Sequence, residues 1–211
     1  MKNLIIIGAG GVGRETAWIV EQINIKNKTY KILGFIDDNS TIWNTYINGY
    51  KVLGGIDYLI DYKDDVKVVV AIANYKVKKN IVGKLKNKRI SYTNIIHPSL
   101  NIHKSVQIGE GNIIYEGAII SPNVSVGNHI IISPKSGIGH DSIIKDYVSL
   151  LWNVSVSGND LIEEGVLLGS ASTIIQGKRI GKGSIVGAGS VVINNIDDKK
   201  TVVGIPAKVI K

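Results

Sequence analysis

Aliphatic side chains recur at every sixth position through the second half of the chain. Ile102, Ile108, Ile114, Ile120, Val126, Ile132, Ile138, Ile144, Leu150, Val156, Ile162, Leu168, Ile174, Ile180, Val186 and Val192 form an unbroken series. Neither the 3.6-residue period of a helix nor the two-residue alternation of a sheet strand produces a strict period of six over this length. Two positions earlier the residue is mostly small or aliphatic, as at Val106, Ala118, Val124, Ser136 and Ser142. Both members of each pair therefore point inward from a short strand. The pattern predicts a parallel β-helix, with three hexads closing one triangular coil and the stacked coils burying a continuous aliphatic rod. A single repeat cannot bury enough surface alone, so neighbouring coils supply the rest. Gly109, Gly127, Gly139, Gly169, Gly181 and Gly187 follow the aliphatic position and are expected where the chain turns its corners. Asn112, Asp160 and Lys178 break the small inward position, which predicts locally looser or differently solvated corners.

The first ninety-five residues follow another rhythm. Residues 2–7 are an apolar strand run, and Gly8-Ala9-Gly10-Gly11-Val12-Gly13 opens a helical stretch to about Ile23. Residues 31–36 and 67–72 read as further strands, the first ending in Asp37-Asp38, with a helix from about Val77 to Lys86 after the second. Alternating strands and helices predict a small parallel sheet. G-x-G-x-x-G between a strand and a helix lets backbone approach a ligand, and the helix N-terminus behind it favours phosphate. A dinucleotide site with Asp37 on a ribose is the first reading. The segment is only about half the length of a full dinucleotide fold, which shifts the expectation to a mononucleotide or sugar-nucleotide pocket. The domains are thus expected at residues 1–95 and 96–211.

Composition narrows the class. The 211 residues include no cysteine, which excludes disulfides and thiolate metal sites. The apolar run at the N-terminus is too short for a signal peptide or a membrane span, so a cytoplasmic protein is expected. Residues 1–95 carry 15 Lys/Arg against 8 Asp/Glu, while residues 96–211 carry 10 against 9. Much of the excess lies between Lys76 and Arg89, with Lys78, Lys79, Lys84, Lys86 and Lys88 between them. No aromatic residues interleave the later lysines and no nucleic-acid reading motif accompanies them, so a solvated helix face is expected. Attraction of an anionic small substrate is the alternative.

The glycine turn, Phe35-Ile36-Asp37-Asp38, Ile96-His97-Pro98-Ser99, Gly139-His140-Asp141 and the terminal Val203-Gly204-Ile205-Pro206-Ala207-Lys208 accompany the hexads. In this combination the whole chain resembles the sugar O- and N-acyltransferases that join a Rossmann-like domain to a left-handed β-helix. That group includes sialic acid O-acetyltransferases and N-acetyltransferases of nucleotide-linked 4-amino sugars. The left hand is implied by the resemblance; the period gives no handedness. The resemblance also implies acetyl-CoA as co-substrate, a homotrimer, and no metal, membrane or nucleic-acid partner. It places the general base at His140 and its acidic neighbour, which raises histidine basicity, at Asp141. It places the nucleotide-sugar against Gly10, Gly11 and Val12, Asp37 and Asp38, and Ala73 and Asn74. It places acetyl-CoA near Ser149, Ser170 and Ala188. Many relatives have histidine in the glycine turn where this chain has Val12, and several have a second histidine where it has Ser149.

The implied reaction is N-acetylation of a nucleotide-linked amino-dideoxy sugar for surface-glycan synthesis, with O-acetylation of sialic acid or a related sugar as the alternative. Histidine suits the task because its ordinary pKa lies near neutrality. Backbone N–H groups at the glycine corners are expected to serve the tetrahedral intermediate. His97, beside Pro98, reads as structural. Two other classes compete. A zinc-dependent carbonic anhydrase would use His103, His129 and His140, but these stand one, three and two places after their aliphatic residues and so occupy different corner positions. A non-enzymatic trimeric scaffold would leave the His140-Asp141 pair without a task.

Overall fold

The computed structural model describes residues 1–86 and 90–211, and in it the six-residue period becomes a left-handed β-helix with three flat faces. Each hexad contributes a two-residue strand. One face stacks 119–120, 137–138, 155–156, 173–174 and 191–192; a second stacks 107–108, 125–126, 143–144, 161–162 and 179–180. The third runs from 113–114 to 185–186 and continues into a terminal antiparallel hairpin, Thr201–Gly204 with Ala207–Val209. Between Gln107 and Val192 the paired strands are parallel and join residues eighteen apart, as in Ile131 with Ser149 and Ser149 with Leu167. Of the sixteen aliphatic positions, the fourteen from Ile114 onward are buried, while Ile102 and Ile108 at the open first coil are half-buried.

The corners lie elsewhere than the glycines suggested. Left-handed backbone occurs three residues after each aliphatic position from Ile108 to Val186, in an unbroken series from Gly111 through Gly117, Asn123, His129, Lys135, Asp141, Tyr147, Asn153, Asn159, Gly165, Ala171, Gly177 and Gly183 to Gly189. Asn and Asp tolerate this conformation better than most residues because their short polar side chains bond locally. The glycines directly after the aliphatic position answer a different need. A Cβ on Gly139 would stand 2.5 Å from the nitrogen of Gly158 in the next coil. These glycines let coils stack; they do not turn the chain. Their N–H groups are also spent on the stack, Gly139 on the Val156 carbonyl and Gly169 on that of Val186. The expectation that they serve an oxyanion is therefore corrected.

At Asn112 the interrupted inward position is tight rather than loose. Asn112 is fully buried, donates from Nδ2 to the Gly127 carbonyl at 2.9 Å and accepts the Ile130 N–H at 2.7 Å. Ser136 makes the same two bonds, to the Leu151 carbonyl and from the Val154 N–H. At both positions the polar side chain clips one coil to the next, so its burial is compensated.

The first unit, Met1–Pro98, is an α/β layer structure; the coils belong to the second, Ser99–Lys211. Its elements are β1 (Lys2–Ile7), α1 (Gly11–Lys26), β2 (Tyr30–Ile36), β3 (Tyr46–Ile47), β4 (Tyr50–Gly54), α2 (Asp57–Ile60), β5 (Val66–Val70), α3 (Tyr75–Lys84) and β6 (Ile90–Tyr92). The sheet order is β3-β4-β2-β1-β5-β6, parallel except for the β3–β4 hairpin. Three of these strands, β3, β4 and β6, go beyond the alternation read from the sequence. The hairpin turns at Asn48-Gly49, both with positive φ, a pairing that two-residue hairpin loops favour. The basic stretch is only partly a solvated face. Lys76, Lys79 and Lys84 on α3 are exposed, but Lys78 is fully buried three residues before Ile81 and seven before Leu85. Burial pushes its ammonium down to about 7. Lys88 and Arg89 lie outside the described residues.

Candidate active site

In the first unit, β2 and β5 flank β1 on opposite sides, so the chain reverses direction across the sheet at the carboxyl end of β1. Open parallel sheets bind ligands at such a point. Three predicted segments meet there: the turn of Gly10, Gly11 and Val12 after β1, Asp37 and Asp38 after β2, and Ala73 and Asn74 after β5. A cavity of about 170 Å³ at this end is lined by Ile7, Gly8, Ile36, Asp37, Asp38, Ile56, Ile72, Val77 and Ile81. A second of about 480 Å³ shares Asp38 and Ile56 and adds Trp43 and Tyr58.

The acidic pair is committed to backbone. Asp37 Oδ2 accepts the Ala9 N–H at 2.9 Å and Oδ1 accepts that of Asn39 at 3.0 Å. Asp38 Oδ1 accepts the Ile56 N–H at 2.9 Å. Asp37 thus organises the glycine turn before any ligand arrives. Gly13 closes the same turn, since a Cβ there would overlap the Gly8 carbonyl. Asn74 caps α3, accepting the Val77 N–H at 3.1 Å. Trp43, which the sequence did not single out, sits at the mouth with its Nε1–H on the Asp37 carbonyl at 2.7 Å. Its ring edge occupies space that a side chain at Gly55 would fill. The adjacent Gly54-Gly55 is the signal that could have flagged it.

In the second unit, His140 and Asp141 occupy an exposed corner. Asp141 is one of the left-handed residues, with φ of 59°. That conformation follows His140 directly, and His140 Nδ1 lies 2.7 Å from Asp141 Oδ2. The carboxylate can only accept, so Nδ1 carries the proton and Nε2 of the neutral ring holds a lone pair. Asp141 Oδ1 accepts a second bond from Asn123 Nδ2 at 3.0 Å. The bond from His140, then that from Asn123, holds the Asp141 carboxyl below the usual carboxylate range. The imidazole lies over Gly158 in the next coil, where a Cβ would meet Nε2 at 2.6 Å and Cε1 at 2.7 Å. Asn123 and Gly158 were not predicted; only their eighteen-residue offset from the pair could have pointed to them.

The three positions expected near acetyl-CoA divide. Ser170 and Ala188 stack on one corner, where the Gly189 N–H donates to the Ser170 carbonyl at 2.8 Å. Ser149 belongs instead to the third face and is buried. His103, His129 and His140 stand in different coils or corners, and among the described residues no three His, Cys, Asp or Glu side chains form a group able to hold a metal ion. No described helix is long and apolar enough to cross a membrane.

Comparison with known proteins joins both units to one group. Residues 3–85 match the family described as the PglD N-terminal domain. The GDP-perosamine N-acetyltransferase of Escherichia coli O157:H7 is 32% identical over 190 residues, 87% of this chain and 82% of that protein. The acetyltransferase domain of PglB from Neisseria gonorrhoeae FA1090 superposes with a TM-score of 0.91 at 26% identity, covering all of both chains. PerB from Caulobacter crescentus, solved with CoA and GDP-perosamine, gives 0.89 at 25% identity over 100% of this chain and 98% of that one.

Proposed function

Because this chain belongs to the acetyl-CoA-dependent nucleotide-amino-sugar N-acetyltransferases of the hexapeptide-repeat family, we propose that it acetylates the amino group of a nucleotide-linked amino-dideoxy sugar with His140 as general base. The observation that carries this reading is the 2.7 Å bond from His140 Nδ1 to Asp141 on an exposed corner, which leaves Nε2 as the basic nitrogen. As the amine attacks the thioester carbonyl, a C–N bond forms and the C–S bond breaks. The amine proton passes to Nε2 and then to the departing thiolate, which restores the neutral ring. Asp141 orients the ring and offsets the charge of the imidazolium.

The first unit holds the nucleotide at Gly10, Gly11, Val12, Asp37, Asp38, Ala73 and Asn74, and acetyl-CoA lies near Ser149, Ser170 and Ala188. The related GDP-perosamine enzyme makes GDP-perosamine the first acceptor to try. The working enzyme is a homotrimer, to be read as a solution mass three times the 22.8 kDa chain. In this reading it works in the cytoplasm and feeds polysaccharide synthesis.

A turnover screen of GDP-, UDP- and dTDP-amino sugars beside free sialic acid tests the acceptor; activity on sialic acid alone overturns it. His140→Ala tests the base. Turnover is expected to fall about 10²–10⁴-fold with acetyl-CoA binding retained, and wild-type turnover would reject the role.

A further inference from the structure

We infer that Asn123, one coil before the His140-Asp141 pair, is a positioning residue for the base: it holds Asp141 so that Asp141 holds His140. This rests on His140 acting as the base. Asn123 and Asp141 are eighteen residues apart and both adopt left-handed backbone, with φ of 64° and 59°. Equivalent corners of adjacent coils set their side chains side by side, and Asn123 Nδ2 donates to Asp141 Oδ1 at 3.0 Å. The other oxygen, Oδ2, is the one that accepts from His140.

Exposure makes the second anchor matter. The His140 and Asp141 side chains keep 55% and 46% of their exposure, and an exposed polar pair held by one contact is weak and mobile. With both oxygens bonded, the carboxylate cannot turn about its own axis without breaking a bond. Asn123 is itself seated from below: its N–H donates to Ser105 Oγ at 3.0 Å, and Ser105 Oγ lies 2.8 Å from His103 Nδ1. One hydrogen-bonded line therefore climbs three coils from His103 through Ser105, Asn123 and Asp141 to His140. It ends with Nε2 above Gly158, where the missing Cβ leaves the ring its place.

Two full-length variants test the inference. Asn123→Gly suits the left-handed corner and removes the amide; Asn123→Asp keeps the shape but replaces the donor with a carboxylate. Both are expected to fold, to lower kcat about 10- to 100-fold, and to leave both KM values within about twofold. In Asn123→Asp the added negative charge favours the imidazolium, so the acid limb of the kcat/KM profile moves to higher pH. The ¹⁵N shifts of the His140 ring give a readout independent of turnover. The wild type shows the Nδ1–H tautomer, and both variants show a mixture of the two. An unchanged tautomer with wild-type kcat in Asn123→Gly overturns the inference, even where His140→Ala is inactive. Full turnover by His140→Ala removes the base reading instead, while the tautomer measurement still decides whether Asn123 orients the ring.

Discussion

The backbone N–H of Lys178 donates to Asp160 Oδ1 across 2.6 Å inside the β-helix, while Oδ2 of the same carboxylate has no hydrogen-bond partner among the described residues. Asp160 stands where Asn112, Ser136 and Ser142 stand in other coils. Those side chains also donate to the carbonyl fifteen residues on, and an ionised carboxylate cannot. Burial therefore pushes the Asp160 carboxyl up to about 6, against the bonds from Lys178, Ser157 and Gly177 that favour its charge.

The Asp160→Asn variant is expected to be more stable than the wild type above about pH 6. The folded state holds the Asp160 proton more tightly than the unfolded chain, so this group's contribution is fully present below pH 3.8 and is lost as pH rises to about 6. Asparagine supplies the missing donor at every pH. The gain is about 1–3 kcal/mol, shrinking toward pH 4, and thermal unfolding of both proteins across pH 4–8 measures it.

Gly158→Ala is expected to displace the imidazole without unfolding the coil. The backbone at 158 is not left-handed, and the atoms in the way belong to the His140 ring. A kcat loss of about 10- to 100-fold, with acetyl-CoA KM nearly unchanged and Tm lowered little, is the expected steady-state and thermal-shift result.

Asp37→Ala removes both bonds that hold the glycine turn and the Asn39 loop. Acceptor KM should rise about tenfold, equivalent to about 1.4 kcal/mol, while acetyl-CoA KM stays constant. Parallel titrations of the two substrates separate these outcomes.

Gly13→Ala and Gly11→Ala form a pair with opposite signatures. A Cβ at Gly13 overlaps the Gly8 carbonyl, so Tm should fall with a cost of at least about 1–3 kcal/mol. A Cβ at Gly11 meets nothing within 4 Å, so that variant keeps its Tm and raises acceptor KM where a phosphate must approach the backbone. Thermal shift and acceptor kinetics on both variants check this.

Much of this was legible before any coordinate. The rod, its inward pairs and the glycine turn follow from residue type at fixed spacing, whereas Asn74 and His140 were pointed to only by the resemblance to the sugar acyltransferases. The strands β3, β4 and β6 escaped because two to five residues carry too little alternation, although Asn48-Gly49 marked the hairpin. Lys78 escaped because a lysine reads as solvated until its helix is seen to present the same face as Ile81 and Leu85. Asn112 was misread as a loose corner, since a buried amide is costly only until its partners in the next coil are known.

The sequence by itself determined the repeat, because a period of six is a property of one chain read in order, and it put His140 beside Asp141, since neighbours in sequence remain neighbours in space; the role of the pair came from the resemblance. Tertiary structure alone decided what stands eighteen residues away: Asn123 on Asp141, Gly158 under the imidazole and Lys178 on Asp160. Those partners are set by stacking, where side chains meet across coils at distances that no local pattern encodes. The left-handed corner three places after each aliphatic residue belongs to the same class, since Asn, Asp, His, Lys, Tyr, Ala and Gly all occupy it and only closure of the coil imposes it.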